Sequence, residues 1–163
     1  MKKLESSITN MILVLVGVAL VTGAILAYVN NVTAGPIKEQ AEKTLTDGIK
    51  KVMGGKNDVK VSASKPITQN IKGKELTYVV HLTQDSKGND LGAAVESTTN
   101  GFGGDLKVLV GFNTEGEILG YTILQTAETP GLGAKAQDWF QKDGKGNIIG
   151  MNPSLPLTVN KDG

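Results

Sequence analysis

Two glycine-rich loops hold the residues whose types and spacing suit chemistry. The first is Asn100-Gly-Phe-Gly-Gly-Asp105 and the second is Glu128-Thr-Pro-Gly-Leu-Gly-Ala134. In the second, Pro130 fixes its own φ and drives Thr129 toward an extended conformation, while Gly131 and Gly133 permit turns closed to other residues. A loop of this kind can turn backbone N–H groups toward an anionic or carbonyl-bearing ligand. Lys135 follows at once and has the charge to neutralise a phosphate. The spacing is neither G-x-G-x-x-G nor G-x-x-x-x-G-K-[ST], so the dinucleotide fingerprint and the P-loop are both excluded. On these residues alone the loop is either a structural corner or a ligand loop. Glu128, Trp139 and Phe140 share that ambiguity, since an aromatic pair on a short helix serves a core as readily as a cofactor stack.

Other chemistries find less support. With no cysteine, thiol catalysis, thiolate metal sites and iron–sulfur ligation are ruled out together. His81 is the only histidine, it falls in a predicted strand, and no carboxylate stands at a readable metal-ligand spacing from it. A structural role is expected for it. A hydrolase is disfavoured by the absence of a G-x-S-x-G elbow. The net charge of +1, with acids and bases interspersed, leaves no electrostatic footprint for nucleic acid.

Strands must position the two loops. Glu75 to Gln84 and Leu91 to Thr98 flank the polar turn Asp85-Ser-Lys-Gly-Asn-Asp90, a hairpin signal. Lys107 to Phe112 and Ile118 to Gln125 flank Asn113-Thr-Glu-Gly116, a second hairpin. The first glycine loop joins the hairpins and the second follows the last strand. This pattern predicts an α+β fold, an antiparallel sheet with packed helices, without the strand–helix alternation of doubly wound proteins. Upstream, Gly35-Pro36 predicts a helix start with proline at the first helical position. Ile37, Ala41, Leu45, Ile49 and Val52 then mark one apolar face expected to pack on the domain, ending at Gly54-Gly55.

Met11 to Val29 carries no charge and, as a helix, spans about 28 Å, close to the roughly 30 Å hydrocarbon core. Tyr28 sits at one end, where its ring suits the interface. A cleaved signal peptide would have a shorter apolar core of ~7–15 residues, and Val32-Thr33-Ala34 is a marginal cleavage site. The run therefore reads as a retained N-terminal transmembrane helix. Lys2 and Lys3 favour a cytoplasmic N-terminus, although Lys38 and Lys43 flank the other end. The expected organisation is residues 1–10 cytoplasmic, 11–29 transmembrane, 30–55 a connecting amphipathic helix and 56–163 the folded domain.

Gly101-Phe-Gly-Gly, then Lys107–Phe112 (KVLVGF), NTEGEILGYTIL and Glu128-Thr-Pro-Gly-Leu-Gly-Ala-Lys135, resemble the FMN-binding domain shared by the RnfG and NqrC proteins of ion-translocating electron-transport complexes. The similarity runs from about Thr98 to Gln141, and the apolar segment ahead of the domain agrees with it. The resemblance implies a flavin-carrying electron-transfer component of an Rnf-type ferredoxin:NAD oxidoreductase coupled to Na⁺ or H⁺ movement, with no independent catalytic site of its own. It implies FMN as cofactor, with Glu128, Thr129, Gly131, Leu132, Gly133 and Lys135 lining the flavin or its phosphate and Gly103 and Gly104 allowing close backbone approach. In the family FMN is linked through a threonine phosphoester in an S-G-A-T-like motif. That motif does not occur here, and the attachment threonine is expected beyond Gly163. The implied partners are the other Rnf-type membrane proteins (A, B, C, D and E) together with membrane lipid. The implied location is the bacterial plasma (inner) membrane, with the folded domain on the periplasmic side. The alternatives are an NqrC-like component of a Na⁺-translocating quinone reductase and a membrane-anchored, non-redox binding or assembly module.

Overall fold

The computed structural model describes residues 7–71, 73–129 and 133–155. The chain divides into two compact units, Met1–Lys43 and Thr44–Gly163, with the division inside helix α1, Ile8–Val52. In the first unit α1 is long and apolar enough to cross a membrane, with a window of mean hydropathy 2.7 and none of that window buried. Thr22 and Thr33 donate their hydroxyls to the carbonyls of Val18 and Val29, each at 2.8 Å. Both hydroxyls are thus satisfied without water, as a hydrocarbon surrounding requires.

Pro36 does not begin a helix; it lies inside α1. Proline in a helix interior removes one ladder bond and crowds the preceding turn, at a cost of ~3 kcal/mol. Good helix formers follow it (Ile37-Lys-Glu-Gln-Ala-Glu-Lys43), so the helix resumes beyond the defect. Ile37, the first member of the anticipated stripe, is exposed. Leu45, Ile49 and Val52, in the second unit, do pack on the domain.

The second unit is built on one antiparallel sheet in the order β1-β2-β3-β4-β5, so every neighbour in space is a neighbour in sequence. Its strands are β1 Lys60–Ile71, β2 Lys74–Gln84, β3 Asp90–Asn100, β4 Asp105–Phe112 and β5 Ile118–Gln125. A 3₁₀ turn, Gly133–Lys135, leads into the short helix α2, Ala136–Trp139. The α+β architecture is the one the sequence predicts, and four of the five strands fall where its periodicity puts them. β1 is the addition. Its sequence, KVSASKPITQNI, is polar and contains Pro66, so it carries little strand signal. It exists by pairing with β2, from Lys60↔Gln84 to Ile71↔Lys74, and its place at the sheet edge lets Pro66 go without an N–H.

The core lies where the end of α1 meets one sheet face. Ile49, Val52, Met53, Val59, Ala94 and Leu109 are buried together, with Leu45, Leu91 and Leu124 against them. Each fully buried aliphatic side chain contributes about 1.5–3 kcal/mol. Two facing glycines admit the helix: Gly111 and Gly120 are direct partners across β4 and β5. A Cβ on Gly120 would stand 2.6 Å from the Val52 carbonyl oxygen, and one on Gly111 would overlap the same atom. The helix end then closes as the sequence anticipates, with Gly54 and Gly55 at positive φ and the Gly55 N–H donating to the Lys50 carbonyl.

The opposite face and the β5 edge belong to the α2 region. Phe140 meets Tyr121 edge-to-face at 5.8 Å between ring centres, and burial pushes the Tyr121 phenol above its ordinary pKa. Gln137 Oε1 accepts from the Ile123 N–H at 2.7 Å, and Gln141 Nε2 donates to the Tyr121 carbonyl at 2.9 Å. Glutamine side chains thus satisfy backbone groups on an edge that would otherwise template another strand.

Candidate functional site

The two glycine loops converge at one end of the sheet because β3 and β4 run into the first and β5 runs into the second. Lys107, near the start of β4, pairs with Gln125, the last residue of β5. The β3–β4 connection is a tight turn: the Gly101 N–H donates to the Gly104 carbonyl at 2.7 Å, and Gly104 sits at φ +145°. Beyond β5, the Glu128 N–H donates to the Thr126 hydroxyl, a local bond that turns the chain. The Glu128 side chain then reaches into the first loop. Its Oε1 accepts from the Phe102 N–H at 2.6 Å and from the Gly103 N–H at 3.3 Å.

The glycines around this carboxylate are required by its closeness. A Cβ on Gly101 would overlap Glu128 Oε1, and one on Gly103 would overlap the Ala127 carbonyl oxygen. From the far side of the second loop, a Cβ on Gly133 would stand 2.6 Å from Glu128 Cβ. The close approach at Gly103 is therefore to the neighbouring loop, a reason for that glycine that spacing alone does not reveal. Gly103, Gly104, Glu128 and Gly133 are brought together. Thr129 and Lys135 are exposed on the same segment, and Gly131 and Leu132, with Pro130 between Thr129 and Gly131, lie outside the described residues. Phe102 is fully exposed at the tip of the first loop.

The aromatic pair after the loop divides between roles. Phe140 packs on Tyr121, while Trp139 remains 45% exposed, with Lys145 Nζ 5.9 Å from its ring centre and Gly146 against its edge. Among the described residues no group of three or more His, Cys, Asp or Glu side chains is placed to hold a metal ion.

A second polar cluster lies on the α1-covered face of the sheet. His81 is buried in β2, its Nδ1 2.8 Å from the Ser64 hydroxyl of β1. Its Nε2 lies 3.7 Å from Glu96 Oε2, too far for a hydrogen bond, and Lys107 Nζ contacts Glu96 Oε1 at 3.1 Å. The sequence offers His81 no carboxylate neighbour along its own strand. Glu96 arrives across the β2–β3 hairpin, in register with Val79, two residues before His81. Laying the hairpin register over the sequence would have found it.

The loop platform has the chemistry an FMN site needs: an exposed aromatic ring at Phe102 for an isoalloxazine face, a hydroxyl at Thr129 and an ammonium at Lys135 for polar and phosphate oxygens. Residues 101–161 match the FMN-binding domain family. Over 152 residues the chain is 31% identical to the RnfG-type component of the ion-translocating oxidoreductase complex of Shewanella oneidensis, covering 89% of this chain and 71% of that one. The domain match begins at Gly101, the first residue of the turn clasped by Glu128, and the wider similarity takes in most of the chain. The chain belongs to the RnfG family of ion-translocating oxidoreductase complexes, and its C-terminal part is an FMN-binding domain.

Proposed function

We propose that this protein is the flavin-carrying electron-transfer component of an Rnf-type membrane complex that couples electron flow from reduced ferredoxin to NAD with Na⁺ or H⁺ translocation. The observation that carries this reading is the joining of both glycine loops through Glu128 at the start of the FMN-binding-domain match. The relative's name as one component of an ion-translocating oxidoreductase complex supports an assembly of several chains, here with the Rnf-type A, B, C, D and E proteins. FMN supplies one- and two-electron chemistry when bound, and the protein's part is to hold and orient it and to tune its potential. Gly103, Gly104, Glu128, Thr129, Gly131, Leu132, Gly133 and Lys135 form the site. Lys135 balances phosphate charge, Thr129 offers a hydrogen bond, and the glycines let the loops come close.

In this reading residues 1–10 are cytoplasmic, 11–29 cross the membrane, 30–55 connect and 56–163 form the flavin domain on the periplasmic side. The long apolar helix supports the anchor. With no acidic or basic residue in the crossing run, the ion path belongs to the other proteins of the complex. The flavin is held covalently through a threonine phosphoester. Denaturing gel electrophoresis of the full-length gene product tests that linkage: a fluorescent flavin band that survives denaturation is expected. A dark band from protein that carried flavin before denaturation rejects the covalent link.

A further inference from the structure

The N–H groups of Phe102 and Gly103 point at one acceptor, in a tight glycine turn of the kind that gathers anions. In this molecule the anion is internal. Glu128 Oε1 occupies that position, and its stem is packed by Gly133, so the carboxylate is gripped from both loops. Those two backbone donors are therefore committed, and what the first loop turns outward is the ring of Phe102, exposed over its whole surface. A residue that only decorated the surface would need neither the Gly101 and Gly103 clearances nor a 2.6 Å charge-assisted bond.

We propose that Glu128 is a positioning residue: its carboxylate acts as a built-in anion that fills the N–H nest of the Gly101–Gly104 turn and locks both loops into one platform for the flavin. FMN then meets the Phe102 ring and the second loop, and its phosphate lies away from the Phe102 and Gly103 amides. This rests on the reading of the domain as a flavin carrier and assigns a division of labour within that site.

The test is amide hydrogen exchange on the full chain in detergent, comparing wild type with Glu128→Gln and Glu128→Ala, alongside flavin content. Glu128→Gln keeps a carbonyl acceptor at the same reach and loses the charge. Exchange at Phe102 and Gly103 is expected to quicken about tenfold to a hundredfold in Glu128→Ala and less in Glu128→Gln, with β3 and β4 amides unchanged. Flavin incorporation should fall in the same order, with Glu128→Gln partly rescued. Unchanged exchange at both amides in Glu128→Ala would overturn the clasp. Flavin loss as complete in Glu128→Gln as in Glu128→Ala, with both amides still protected, would overturn it in favour of direct flavin contact by the carboxylate. A wild-type chain that carries no flavin would sink the carrier reading, while the exchange comparison still decides whether the clasp exists.

Discussion

At Gly133 an added methyl group would press on Glu128 Cβ and Cγ, at 2.6 and 2.9 Å, so even alanine must displace the carboxylate that joins the loops. Gly133→Ala is expected to lower flavin incorporation several-fold. Thr129→Ala, on an exposed position of the same loop, is expected to weaken incorporation or shift the flavin potential. Flavin-to-protein ratio and potentiometric titration measure both, and wild-type values in both variants would argue against this loop as the site. His81 makes a contrasting case. Its ring is fixed by Ser64 and lies among side chains of the α1-covered face, so His81→Gln should cost about 0.5–1.5 kcal/mol of stability for one altered hydrogen bond. Electron transfer should persist, and its severe loss would assign the His81–Glu96–Lys107 cluster a functional part. Residue types and spacing disclose the loops because glycine and proline state their backbone needs locally. They do not disclose that Glu128 bonds to amides 25 and 26 positions away, because that contact exists only once β4 and β5 are paired.

At the scale of elements, the two hairpins are legible because each pairs apolar alternation with a turn that binds itself. Asp85 accepts from the Lys87 and Asn89 N–H groups and from the Asn89 side chain, and these bonds, led by the Asn89 amide, hold its carboxyl below the usual carboxylate range. Asn113 Oδ1 accepts from the Glu115 and Glu117 N–H groups in the same manner. β1 is not legible, since a polar edge strand takes its structure from its partner. The run of α1 through Pro36 is hidden as well, because the residues on both sides outweigh one lost bond. The glycine pair Gly111 and Gly120 reads in sequence as two weak points in good strands, yet it is the groove that seats the end of α1. Gly120→Ala should force that helix end off the sheet and destabilise the domain by about 1–3 kcal/mol, read as a lowered urea midpoint with unchanged slope. An unchanged midpoint would show that the helix does not sit there.

At the scale of the whole molecule, an apolar helix of membrane-crossing length belongs to one unit and a five-stranded sheet with its loop platform to the other. A redox carrier fixed to a membrane complex needs those two parts: an anchor with no ionisable group in its apolar run, and a domain that grips a cofactor at one end of a sheet. The central claim is that this domain carries FMN. The most direct measurement is the flavin content of the full-length protein purified in mild detergent from its native membrane, by absorbance and by mass after acid release and alkaline or phosphodiesterase cleavage. FMN equimolar with the chain is the expected result. Correctly folded full-length protein without any flavin would contradict the account.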